Sequence, residues 1–186
     1  ECLNEGSFGA IAPSGMTLMG IQTAERGALW VRVTASGKPG HGSIDRPDSA
    51  TRKLVRALNR LETMPKEFEL VPESRDMFKA MGKAVPGIGG LVLQNIDFPG
   101  ILPFAAVAIE KQSKLLASGL ITSYNTTVLR AGSKVNVVPG QASAEIDIRV
   151  LPGHTTVEIL DRLRNVLDEP EIAIEVLQAR EPSRTP

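Results

Sequence analysis

Cysteine is almost absent from this chain: Cys2 is the single one in 186 residues, which excludes an internal disulfide framework and leaves the redox compartment open. Histidine is nearly as scarce. His41 and His154 sit in separate loops with no HxH, HxD or CxxC spacing near either, so a self-contained zinc centre of three or four ligands is not expected. Aromatic residues make up 4%, and 21 Lys plus Arg balance 21 Asp plus Glu. Without a net field or stacking platforms, neither nucleic acid nor a membrane surface is expected as a partner. The longest apolar stretch, "FPGILPFAAVAI" (98–109), is too short and too interrupted by proline to cross a bilayer. The opening "ECLNEG" has no initiator methionine and no signal-peptide pattern, and the close "REPSRTP" is a polar tail, so an internal stretch of a longer protein is expected.

What is present is strongly patterned. In "ALWVRVTAS" (28–36), Val31, Val33 and Ala35 alternate with Trp30, Arg32 and Thr34, the period of a half-buried strand. "KPGHG" ends it. "RPDSATRKLVRALNRLETM" (46–64) carries Ala50, Leu54, Ala57, Leu58 and Leu61 on one helical face with basic residues opposite, and Asp48 after Pro47 is the expected N-cap. Residues 65–118 read as mostly helical, with "PESRDMFKAMGKAV" and "AAVAIEKQSKLLASG" as helices separated by a break at "PGIGG".

"LITSYNTTVLRAG" (120–132) is β-branched and predicts a strand; "SAEIDIRVL" (143–151) predicts another, with Ile146, Ile148 and Val150 facing away from Glu145, Asp147 and Arg149. "TTVEILDRLRNVLD" (155–168) opens with Thr155 and Glu158 at capping-box spacing and points Ile159, Leu160, Leu163, Val166 and Leu167 inward; "IAIEV" (172–176) is the last strand. "IAPSGMTLMGIQTAERG" before all this reads as a strand and then a loop. The order β, α, helical insertion, β, β, α, β predicts an α+β fold: a ferredoxin-like four-stranded antiparallel sheet with two helices on one face.

Chemistry-bearing motifs are few. Ser7 in "EGSFG" has no GxSxG elbow and no histidine partner, and "GIGG" (87–90) lacks the Lys-Ser/Thr of a phosphate loop. His154 follows "LPG" before a helix and reads as a loop histidine. His41, between glycines after a strand, reads on its own as a surface turn residue whose imidazole faces water.

Two separated motifs in fixed order change that reading. "WVRVTASGKPGHGS" before a helix, and "GSKVNVVPGQASAEIDIRVLPG" (132–153) before a capped helix, resemble the lid, or dimerisation, domain of the co-catalytic zinc peptidases and amidohydrolases. That family includes aminoacylases, acetylornithine deacetylase, succinyl-diaminopimelate desuccinylase and carboxypeptidases G and S. The long insertion is most similar to the carboxypeptidase-S-like branch.

The resemblance implies a homodimer and, in the whole enzyme, two zinc ions cleaving an amide or peptide bond of a peptide or N-acyl amino acid. It divides the chain into a strip of catalytic domain (1–26), the lid (27–178, with the insertion at about 65–118) and a return linker (179–186). Glu5 in "LNEG" corresponds to a terminal zinc ligand, although Asn4 stands where the family often has Asp. His41 corresponds to the lid histidine that reaches the partner's active site and steadies the tetrahedral oxyanion; Asn136 to a lid asparagine that contacts substrate; Arg149 to an arginine that grips the substrate carboxylate. An imidazole N–H suits developing oxyanion charge, and a guanidinium fork suits a planar carboxylate. The remaining zinc ligands and the general base lie outside this chain, so by itself it is expected to be inactive. A non-catalytic ferredoxin-like binding or regulatory module is the alternative, and a degenerate homologue that keeps the lid for dimerisation a third.

Overall fold

The computed structural model describes residues 9–11, 15 and 17–185, so Cys2, Glu5 and Ser7 lie outside the described residues. Two short strands, β1 (Gly9–Ile11) and β2 (Thr17–Met19), pair antiparallel where the sequence pattern predicts a strand and then a loop. β3 (Ala24–Glu25) leads into the long strand β4 (Gly27–Ser36), and the glycine-rich loop after it holds β5 (Gly40–His41). Helix α1 (Ala50–Glu62) comes next. The insertion contributes α2 (Pro72–Ala84), α3 (Gly87–Gln94), α4 (Ile101–Gln112), α5 (Lys114–Ala117) and a 3-10 turn at Ser118–Leu120. β6 (Ser123–Arg130), β7 (Val137–Val138), β8 (Gln141–Val150), α6 (Thr156–Leu167), β9 (Ile172–Arg180) and β10 (Ser183–Arg184) complete the chain.

The main sheet is a mixed α+β arrangement of four antiparallel strands in the order β6-β8-β4-β9. Alternation decides its faces. Leu29, Val31, Val33 and Ala35 of β4, with Ala144, Ile146, Ile148 and Val150 of β8, are fully covered by Leu54, Ala57 and Leu61 of α1 and Ile159, Leu163 and Leu167 of α6. Every residue of this cluster belongs to the chain itself. On the opposite face a ladder of ion pairs crosses all four strands: Arg130 to Glu145 at 2.8 Å, Glu145 to Arg32 at 3.0 Å, and Arg32 to Glu175 at 2.9 Å. Charges of alternating sign on neighbouring strands are the favourable cross-strand pairing.

The capping box forms as the spacing predicts: Glu158 N–H donates to Thr155 Oγ1 at 3.2 Å, and Thr155 N–H to Glu158 Oε2 at 2.8 Å. At α1 the cap shifts by one residue. Ser49, not Asp48, is the last extended residue; it is buried, and its hydroxyl lies 3.3 Å from that of Thr51 instead of capping the helix. Lys53, on a face where basic residues are expected in solvent, is buried. Its stem runs along the sheet so that Nζ reaches Ser36 O at 3.1 Å and the Glu171 carboxylate, which satisfies the charge at the rim of the core. β9 also runs four residues past the predicted limit at 176, to Arg180, because it stays paired with β4 through a register shift at Trp30/Val31.

The insertion is a closed excursion with its own core. Glu69 N–H donates to Leu120 O at 2.7 Å, tying its base, while Phe78, Ile96, Ala105, Ala106 and Leu120 form a separate buried cluster. Val85 and Pro86 are extended, so α2 ends where the sequence reading expects the break at "PGIGG", but the rest of that stretch is itself helical. It starts α3, and Gly90 lets α3 cross α2, since a Cβ there would lie 2.0 Å from Val85 O.

Candidate functional site

β5 and β7 bring together residues that are 94 to 96 positions apart in sequence, for His41 pairs with Val137 and Gly42 N–H donates to Asn136 O at 2.8 Å. The glycine eases this approach: a Cβ at Gly42 would stand a tight 3.2 Å from the Asn136 carbonyl. The backbone of Ser43 donates to His41 Nδ1 at 3.3 Å, and the Ser43 hydroxyl lies 2.8 Å from the same nitrogen. A neutral imidazole that accepts at Nδ1 carries its proton on Nε2, so the exposed ring presents an N–H donor. Asn136 is exposed beside it. Two groups able to hydrogen-bond a substrate oxygen thus project from one corner of the domain. Lys53 anchors that corner from below through Ser36 O, at the point where β4 gives way to the loop.

Arg149 is elsewhere. It faces Ala28 and Ser123 at the opposite end of the sheet, and the eight residues from Gln141, at the His41 end, separate the two places by on the order of 25 Å. Its guanidinium is aligned by a two-point pair with Asp147, at 2.8 and 2.9 Å, which leaves its other N–H donors available. It opens on a cleft of about 900 Å³ between β3, the N-terminal half of α2 and the base of β8, whose walls include Arg26, Glu73, Met77, Leu151 and Arg180. The structure therefore brings His41 and Asn136 together and keeps Arg149 apart. Glu5 lies outside the described residues.

Two residues at these places are not singled out by the sequence reading. Arg26 precedes β4 with no motif around it, and its neighbours Asp147 and Arg149 are more than a hundred residues away. Ser43 could have been found, two residues after His41 in "HGS". His154 is in a loop as expected, but it is engaged there: Nε2 lies 2.6 Å from Glu69, linking the mouth of the insertion to the start of α6. Among the described residues, no three His, Cys, Asp or Glu side chains converge in a way that could hold a metal ion. No helix among them is long and apolar enough to cross a membrane.

A sequence-family comparison decides what this arrangement is part of, because the peptidase dimerisation domain family, M20_dimer, matches residues 23–175. The chain belongs to that family. The dimerisation domain is 26% identical over 164 residues to the N-fatty-acyl-amino acid synthase/hydrolase PM20D1 of Xenopus tropicalis, covering 87% of this chain and 31% of that protein. It is 28% identical over 154 residues to the probable carboxypeptidase S-like 2 of Dictyostelium discoideum, with 83% and 29% covered. Against aminoacylase-1 of Sus scrofa the identity is 32% over 130 residues, with 69% and 22% covered. The dimerisation domain thus spans about a third of the length of the first relatives. In fold it is similar to the M20 family metallo-carboxypeptidase Sso-CP2 of Sulfolobus solfataricus, at TM-score 0.54 and 18% identity, covering 88% of this chain and 46% of that one.

Proposed function

We propose that the dimerisation domain is also the active-site lid of a di-zinc metallohydrolase that works as a homodimer and cleaves the amide or peptide bond of N-acyl amino acids or peptides. The observation that carries this reading is the separation of His41 and Asn136 from Arg149 across the length of the sheet. No small substrate spans that distance within one chain. In a two-fold dimer, the corner of one lid can approach the base of the other, so the groups meet on one substrate from two subunits. His41 Nε2–H would then donate to the developing oxyanion, Asn136 would contact the substrate beside it, and Arg149 of the other subunit would hold the substrate's carboxylate. The names of the relatives, an N-fatty-acyl-amino acid synthase/hydrolase and an aminoacylase, support the substrate class.

The zinc ions belong to the rest of the longer enzyme in this reading, since the described residues gather no metal-binding cluster. Glu5 would supply one ligand. The ions would provide the activated water; the lid's own residues bind, orient and stabilise charge. The chain order β-α-β-β-α-β and the sheet order β6-β8-β4-β9 support treating the lid as ferredoxin-like. Pairing of β3 with β10, with Thr185 N–H donating to Thr23 O at 2.8 Å, supports a hinge in which the entering and leaving segments run side by side.

The test is complementation in the full-length protein. His41→Ala and Arg149→Ala are each expected to be nearly inactive. When the two are mixed under conditions that exchange subunits, half the dimers are mixed and each has one intact composite site, so activity returns to about a quarter of wild type. No recovery, with mixed dimers demonstrated, would remove the composite site and favour a non-catalytic module or a degenerate homologue.

A further inference from the structure

The charges around the cleft pair off, with one exception. Arg180 pairs with Glu25 at 2.8 Å, Arg184 with Glu73 at 2.8 Å, Arg75 with Asp76 at 2.8 Å, and Arg149 with Asp147. Arg26 lines the same cleft and, among the described residues, makes no ion pair of its own. Its Nη1 is enclosed and lacks a hydrogen-bond partner. Burial, and after it the neighbouring Arg149 cation, hold its pKa below the ordinary arginine value, with Asp147 opposing. Asp147 is thus spent on Arg149, Arg26 stands near that pair without a carboxylate of its own, and the cleft carries a surplus positive charge. An enclosed, unpartnered donor of this kind is unfavourable unless something completes it.

Resting on the reading of Arg149 as the carboxylate-gripping residue, we propose that Arg26 is the second guanidinium of that site, so that one monoanionic carboxylate in the cleft is held between Arg26 and Arg149. Asp147 orients Arg149 but supplies one negative charge for two cations; a bound carboxylate supplies the other. A planar carboxylate matches the guanidinium fork, and its two oxygens can each take donors from a different arginine. Arg26 would then set specificity: the cleft selects a free carboxylate over the corresponding amide, because a neutral carboxamide leaves the second cation uncompensated.

The domain builds its own core, so the 186-residue chain serves for the test, with N-acetylglycine and N-acetylglycinamide as probes. Titrations are followed on the arginine Nε–H signals by NMR, and the backbone amides of β4 and β8 report that each variant is folded. N-acetylglycine is expected to shift the signals of both Arg26 and Arg149, and N-acetylglycinamide neither. Arg26→Gln should weaken N-acetylglycine at least about tenfold, while Arg26→Lys, which keeps the charge and loses the fork, should weaken it less. If Arg149 responds and Arg149→Gln abolishes binding while Arg26→Gln binds like wild type, the role of Arg26 is overturned and that of Arg149 stands. If Arg26 responds and Arg149 does not, Arg149 is not the carboxylate residue. If neither signal moves, or the amide moves both equally, there is no carboxylate site in the cleft and both assignments fall.

Discussion

The sheet with its two helices and the insertion bury their apolar residues in opposite styles. In the sheet region each element has one apolar face and one charged face: Ile146, Ile148 and Val150 point into the helices, while Glu145 and Arg149 sit on the open side. In the insertion, α3 and α4 are apolar around most of their circumference, yet only Gly90, Ala105 and Ala106 are fully buried, with Val92, Leu93, Ile101, Leu102 and Ile109 half-buried against the cluster. Ile88 is 80% and Phe104 81% exposed. The difference teaches that period, not apolar content, is what let sequence assign a face. A helix rich in apolar residues on all sides carries no instruction about which side packs.

The comparison breaks most sharply if the two cores are truncated separately. Ile148→Ala opens a cavity at the centre of the sheet cluster and should cost about 2–5 kcal/mol, read as a lower urea midpoint for the whole domain. Phe78→Ala removes the centre of the other cluster at about 3–5 kcal/mol, and its effect should stay in the insertion, with amide exchange rising in α2–α4 while β4 and β8 remain protected. Loss of protection everywhere in both variants would mean that the two cores fold as one unit.

A smaller effect belongs to the charged face of the sheet. Arg32, and next Arg130, hydrogen-bond the Glu145 carboxylate and hold it below the ordinary glutamate value of 4.5. A folded value below the unfolded one gives a stabilisation that is complete above the unfolded value and lost as pH falls through the folded one. Glu145→Gln should therefore have a lower urea midpoint than wild type at neutral pH, with the gap closing below about pH 4.5. A gap of constant size down to pH 3 would show that the carboxylate's charge is not what the ladder uses.

The smallest effect is expected where the insertion is barest. Phe104→Ser exchanges a ring that the described residues leave exposed, so domain stability should change by less than about 0.5 kcal/mol in urea unfolding. A larger loss would show that this surface packs against something in solution, and the contrast between the two regions would narrow.

The pattern of legibility follows from these differences. The capping box at Thr155 and Glu158 and the alternating strands were readable because each is set by spacing within a few residues. Lys53 was misplaced because helical wheel logic assigns a cation to solvent, whereas the rim of the core offered Ser36 O and Glu171 to a long side chain. The register shift that carries β9 to Arg180 had no local signal, since β4 imposes it.

By itself, the sequence determined the α+β class, the faces of the main strands and helices, and two motifs that place the chain in its family; all of these depend on periodicities and spacings inside short segments. The tertiary structure alone decided that His41 lies against Asn136, that Arg149 stands at the far end of the sheet, and that Arg26 shares the cleft with it. Those relations join residues about a hundred positions apart, and strand register, not local preference, fixes which of them meet.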